Sequence, residues 1–246
     1  MSAPVFIADA AALRASDEVV LDGDEGRHAA VVRRIAVGET VELTDGAGQL
    51  ARCVVVGASK QSLTCAIEER IAVPAPRPRV VVAQALPKGD RGETAVETLT
   101  EVGVDEILPW SAQRCMVRWT GERGEKSLRR WRSTAREAAK QARRAWLPSV
   151  GDVTTTPALA TRVRDAALAV VLHEEATAPL ASVDLPDDGD ILLVVGPEGG
   201  VTPEEIETFE AAGAVTVRMG PTVLRTSTAG TVAAGILLAR TPRWLP

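Results

Sequence analysis

The chain offers almost no aromatic surface. Of its 246 residues only 3% are aromatic, with no tyrosine, two phenylalanines and five tryptophans. That composition argues against a sheet that reads single-stranded bases by stacking. Cysteine is equally sparse. Cys53, Cys65 and Cys115 form no CxxC pair, and the chain has two histidines. A tetrahedral zinc site therefore lacks ligands, and no metal is expected. No apolar run approaches the 18 residues that would suggest a membrane span. The opening MSAPVFIADAAALRAS has no basic stretch followed by a long apolar one, so no signal peptide is read. A reducing, cytoplasmic setting is expected. Excess positive charge is also missing overall, because 28 basic residues face 33 acidic ones for a net charge of −5.

The distribution of charge reverses that last impression. Residues 114–144 carry eleven basic and three acidic groups, a net +8, against −13 for the remainder. From Lys126 to Trp146 this block reads as a helix. Leu128, Trp131, Ala135, Ala138, Ala139, Ala142 and Trp146 recur at helical steps and form an apolar stripe. Arg129, Arg132, Arg136, Lys140, Arg143 and Arg144 recur beside it. A solubilising face mixes signs, whereas a single-sign face suits a polyanion.

Residues 1–72 read as a small β-rich unit with a hairpin around Asp45-Gly46. The GxGxxA spelled by Gly46, Gly48 and Ala51 lies between strands rather than before a helix, so it is not a dinucleotide loop. Glu25–Ile35 reads as a short helix. The Pro-rich segment 73–79 is the expected linker. From residue 80 to 246, apolar runs at 80–86, 166–174 and 190–195 alternate with helical patterns. That alternation indicates an α/β domain with a parallel sheet.

Two turns stand out in the second part. Val195-Gly196-Pro197-Glu198-Gly199-Gly200 follows a buried run, and Thr202, Pro203 and Glu205 then spell a capping box. Ligands of open α/β sheets bind at such strand ends. Met219-Gly220-Pro221-Thr222-Val223-Leu224-Arg225-Thr226-Ser227-Thr228 likewise follows a strand and opens a helix, a setting suited to an anion or a polar ligand edge.

These residues resemble the SPOUT-class bacterial 16S rRNA (uracil-N3)-methyltransferase family. The resemblance rests on GPEGG-x-T-x-E-E and on MGPTVLRTSTA. HAAVVRR (28–34), Lys88 with ETLTEVGVDEILP (97–109), RCMVRW (114–119) and AREAAKQARRAWLP (135–148) follow in family order. One position departs from it, since Ser227 stands where the family carries Glu in L-R-T-E-T-A. The resemblance implies a PUA-like β-barrel at 1–72 and a SPOUT α/β domain with a trefoil knot at 80–246. It further implies a homodimer and S-adenosylmethionine (AdoMet) as methyl donor. His173, Val195, Gly196, Glu198, Gly199, Gly200, Met219, Gly220, Leu224, Arg225, Thr226, Ser227 and Thr228 would hold AdoMet, with Arg225 as the candidate catalytic residue. Arg27, Arg33, Arg34, Lys88, Arg114 and Arg118 would join the basic helix in gripping 16S rRNA of the small ribosomal subunit. Two other readings remain open: methylation of another RNA atom such as a ribose 2′-OH, and a non-catalytic RNA-binding or assembly factor.

Overall fold

The computed structural model describes residues 3–244. The chain forms two units. The described residues up to Ala75 and the segment Ala139–Leu147 make the first, and Pro76–Ala138 with the chain from Pro148 onward make the second.

The first unit contains β1 (Val5–Ile7), α1 (Ala10–Ala15), β2 (Glu18–Leu21), α2 (Gly23–Arg27), a π-turn (His28–Val32), β3 (Thr40–Thr44), β4 (Gln49–Ala58) and β5 (Leu63–Ala72). Its five-stranded sheet runs in the order β1-β3-β4-β5-β2. Alternate strand residues face inward, as a half-buried sheet requires. Val41, Leu43, Cys53, Val55, Leu63 and Cys65 are all fully buried. Burial pushes the Cys53 thiol up to about 12 and the Cys65 thiol to about 11, so both are neutral core side chains rather than nucleophiles. At the β3–β4 turn, Gly48 has φ +96°, and a Cβ there would meet the Trp146 ring at 2.6 Å. Trp146 also donates its indole N–H to the Val73 carbonyl at 2.9 Å.

The second unit contains β6 (Arg79–Ala85), α3 (Arg91–Val102), β7 (Glu106–Trp110), α4 (Gly121–Gln141), β8 (Ser149–Val150), α5 (Thr156–Asp165), β9 (Leu168–Leu172), β10 (Asp190–Val195), α6 (Pro203–Ala211), β11 (Val215–Val217) and α7 (Thr226–Leu238). The last turn of α4 falls in the segment that belongs with the first unit. The six-stranded sheet has the order β11-β9-β10-β6-β7-β8, and every pairing is parallel. A parallel sheet covered on both faces demands continuous apolar strands. Val80–Ala83 and Ile191–Val195 are accordingly buried at every position.

α4 differs from the sequence expectation at both ends. It begins at Gly121 and stops at Gln141, five residues before Trp146. The stop is a Schellman turn in which Arg143 takes the place usual for glycine, with φ 55°. Its N–H bonds to the Lys140 carbonyl at 3.1 Å, and the Arg144 N–H bonds to that of Ala139 at 2.9 Å. Ala142 is consequently exposed instead of completing the apolar stripe, while Trp131, Ala135, Ala138 and Ala139 are buried as expected.

At the amino ends of the strands, Glu106 is gripped by Arg162 through both oxygens at 3.1 and 2.9 Å and by Arg79 at 3.1 Å. Burial alone would raise this carboxyl. The two guanidiniums outweigh it and hold the group below the ordinary carboxylate range. A lowered folded-state pKa contributes stability that is full above the unfolded value, about 4.3, and is lost as pH falls through the folded one. Urea midpoints of the wild type and Glu106→Gln should therefore lie apart at neutral pH and converge below about pH 4. A separation that stays constant with pH would show that the carboxylate contributes nothing by ionisation.

Candidate functional site

The carboxyl ends of β9, β10 and β11 lie side by side, Val171 opposite Val194 and Leu172 opposite Val217. The loops that leave them enclose a cleft of about 1060 Å³. Ligand sites for drug-sized molecules span roughly 300–1,000 Å³, so this one can take a nucleoside-sized ligand with a second group beside it. Strand-end residues Leu172, Val195 and Val217 form its apolar floor.

One wall is the glycine turn. The Gly200 N–H bonds back to the Pro197 carbonyl at 2.9 Å, and Gly200 has φ +75°. A Cβ at Gly199 would meet Arg114 Cβ at 3.1 Å, so this turn is closed on its outer side by the Arg114 segment. Arg114 reinforces the contact by donating to the Gly199 carbonyl at 3.1 Å. Behind the turn, the capping box forms as the spelling Thr202-Pro203-Glu204-Glu205 requires. Thr202 Oγ1 accepts from the Glu205 N–H at 3.2 Å, and Glu205 Oε2 accepts from the Thr202 N–H at 3.2 Å.

The facing wall is Arg218–Thr226. Arg225 is the N-cap of α7, but its side chain makes no capping bond. Its carbonyl accepts from the Thr228 and Ala229 N–H groups at 2.9 Å. The backbone is thereby pinned while the exposed guanidinium lines the cleft. His173 closes one side, and its Nδ1 accepts from the Glu175 N–H at 3.3 Å.

Among the residues expected to hold a cofactor, His173, Val195, Gly196, Glu198, Gly199, Gly200, Met219, Gly220, Leu224, Arg225 and Thr226 all line this cleft. Ser227 and Thr228 do not. Ser227 is buried at 7% exposure, and Thr228 turns its hydroxyl onto the Arg225 carbonyl at 3.2 Å. Both are structural parts of the first turn of α7. The Ser227 departure from the family pattern thus lies at a buried position in the first turn of α7.

Several cleft residues went unread in the sequence. Arg91, Arg218, Glu174, Glu175 and Glu207 line it, and no local motif marks them. Arg91 reaches Glu198 at 3.8 Å, and the Lys88 backbone N–H reaches the same carboxylate at 3.3 Å. Gln84, fully buried at the end of β6, donates to the Thr226 carbonyl at 3.3 Å and braces the start of α7. Its Oε1 has no partner among the described residues.

The expected cationic set divides in two. Arg27, Arg33, Arg34, Lys88, Arg129, Arg132 and Arg136 are exposed. Arg132 is shared with Asp152 at 2.8 Å, and Arg129 with Glu125 at 3.6 Å. Arg143 is exposed and Arg144 half-buried, both in the turn that ends α4. Lys140 corrects the expectation. It is buried and paired with Glu25 at 3.0 Å, because the last turn of α4 belongs to the first unit. Arg118 folds back to donate to the Ala112 and Gln113 carbonyls at 2.7 and 2.9 Å, so its fork clamps its own loop. Among the described residues, no group of three metal-ligating side chains is present.

Residues 74–238 match the RNA methyltransferase domain family, and residues 21–68 match the RNA methyltransferase PUA domain. The chain is 52% identical to ribosomal RNA small subunit methyltransferase E of Mycobacterium tuberculosis, over 92% of this chain and 87% of that one. It is 32% identical to the protein of the same name from Bacillus subtilis, over 85% of each. The fold is that of the Neisseria gonorrhoeae protein of that name, solved bound to S-adenosyl methionine. The TM-score is 0.84 at 23% identity, covering 98% of each chain. With its parallel sheet, its strand-end cleft and these relatives, the chain belongs to the ribosomal RNA small subunit methyltransferase E family, an RNA methyltransferase domain joined to a PUA domain.

Proposed function

We propose that this protein methylates N3 of a specific uridine in 16S rRNA of the small ribosomal subunit. In this reading the enzyme is cytoplasmic and works as a homodimer, and the last strands of the second unit form the trefoil knot of its family. The observation that carries the reading is the cleft at the ends of β9–β11, where the glycine turn and the Arg225 loop face each other. The residues present fit AdoMet. Gly220 lines the cleft with open space where a Cβ would stand, which permits close approach of a ligand to the backbone. Glu174, Glu175, Glu198 and Glu207 supply negative charge for its ammonium and sulfonium groups. Bound there, AdoMet supplies an electrophilic methyl group.

The chain's own task is to present the base. Uracil N3 is a poor nucleophile while it holds its proton. Once that proton passes to water, negative charge spreads over N3, O2 and O4, and in this reading the Arg225 guanidinium stabilises it. The target nucleotide must be out of its stack to reach the cleft, and Arg91 and Arg114 at the rim suit its phosphates.

The deciding experiment supplies labelled AdoMet with small subunits lacking the modification, and separately with naked 16S rRNA, followed by nucleoside analysis. Labelled N3-methyluridine is the expected product, and label in a ribose 2′-O-methyl would overturn the N3 reading. A second expectation concerns α4. Arg129 and Arg136 are seven residues apart and share a face. Arg129→Ala and Arg136→Ala should each weaken RNA binding and flatten the slope of log affinity against log salt by about 0.9 per phosphate no longer neutralised. Unchanged slopes would remove this helix from the RNA surface.

A further inference from the structure

The first unit carries an exposed turn whose chemistry is distinct from the basic helix. α2 runs directly into the π-turn His28–Val32. Such π segments are rare and occur frequently at functional sites. The turn is closed by the Arg33 N–H on the His28 carbonyl at 2.9 Å and the Ile35 N–H on the Ala29 carbonyl at 3.1 Å. Arg34 follows with φ 54°, a left-handed conformation disfavoured for a residue bearing Cβ. Ala29 and Ile35 anchor the two sides, at 0% and 6% exposure. Between them the chain presents Val31 at 53% exposure, Val32 at 69%, then Arg33 and Arg34, both exposed.

A single exposed valine needs no explanation. Two adjacent ones on an anchored, left-handed-ended turn, flanked by cations, do. Hydrogen bonds and ion pairs among the described residues engage none of the Arg27, Arg33 and Arg34 guanidiniums. A second copy of the chain docked with the two-fold axis through this turn would bring these arginines together. A polyanion with apolar faces fits both halves of the patch. Valine is stiff at χ1, so it loses little freedom when covered, and apolar wedges of this kind partly unstack base steps in nucleic-acid complexes.

We infer that His28–Arg34 is an RNA wedge: Val31 and Val32 pack on an unstacked base or base step, and Arg27, Arg33 and Arg34 hold the adjoining phosphates. The inference rests on the reading of the chain as an rRNA methyltransferase and names a contact of its first unit. The test titrates small subunits lacking the modification, at fixed magnesium and several salt concentrations. It uses the wild type, Val31→Ser/Val32→Ser and Arg33→Ala/Arg34→Ala. The valine variant should bind about tenfold more weakly with an unchanged salt slope. The arginine variant should flatten the slope by about 0.9 for each phosphate it no longer neutralises. Because all four side chains are exposed, thermal midpoints and AdoMet affinities should match the wild type. Undiminished affinity of the valine variant overturns the wedge, as does its dissociation from dimer to monomer in sedimentation, which would make the patch an interface between copies. If the wild type itself neither binds nor methylates the subunits, the methyltransferase reading fails instead.

Discussion

Arg225→Ala should lower turnover by about 10²–10³-fold, the usual loss when one preorganised donor to a developing negative charge is removed, while AdoMet affinity stays within about twofold. The structure separates these two effects. Arg225 holds its loop through its backbone, whose carbonyl accepts from Thr228 and Ala229 at 2.9 Å. Its side chain neither caps α7 nor takes part in an ion pair among the described residues. Truncation therefore leaves the loop in place and removes only the guanidinium from the cleft. Arg225→Lys keeps the charge but loses the planar fork, so it should recover only part of the rate. Single-turnover kinetics with labelled AdoMet and small subunits, beside calorimetric AdoMet titration, check both halves. A fully active Arg225→Ala would rule the residue out of the chemistry. A matched loss of AdoMet affinity would instead make it a cofactor ligand.

The elements carrying this site were legible because their signals are local. Val80–Ala83 and Ile191–Val195 are continuous apolar runs, the pattern that strands buried on both faces require. Thr202-Pro203-Glu204-Glu205 spells its own helix start. The glycine turn and the Arg225 loop follow strands directly, and ligands of parallel sheets gather at strand ends. What escaped depends on tertiary placement. Arg91 and Arg218 enter the cleft only because α3 starts and β11 ends beside it. Lys140 sits at helical spacing with the outward cations, yet it is buried, because the last turn of α4 belongs to the first unit, where Glu25 pairs with it. The end of α4 was hidden because a Schellman turn usually announces itself with glycine, and Arg143 occupies that position. Val31 and Val32 fall inside the segment that reads as a plain short helix. Their exposure follows from the π-turn, which shifts the helical register by one residue, and no residue pattern announces that shift.

Glu205→Ala should be the most destabilising change at the site, by about 3–5 kcal/mol, and should abolish measurable AdoMet binding. Glu205 is 5% exposed, and its carboxylate accepts from three donors on three segments. Oε2 takes the Thr202 N–H at 3.2 Å. Oε1 takes the Gln113 N–H at 2.8 Å and the Thr156 hydroxyl at 2.9 Å. A hydrogen bond to a charged acceptor contributes about 1.5–3 kcal/mol, and a buried donor left unpaired costs about 1–3 kcal/mol. These losses overlap, so their sum exceeds the expected change. The effect on ligand binding follows from the same bonds. Gln113 precedes Arg114, which donates to the Gly199 carbonyl, and Thr202 ends the glycine turn. Glu205 thus fixes both faces of that turn, and its removal lets the turn drift from the cleft. Glu205→Gln keeps the shape and one acceptor oxygen, but its amide group meets donors. It should fold with a lower thermal midpoint and bind AdoMet about tenfold more weakly than the wild type, a loss of about 1.4 kcal/mol. Thermal unfolding and calorimetry on the pair decide the matter. A Glu205→Ala protein with wild-type midpoint and AdoMet affinity would show that α6 holds the turn without this carboxylate.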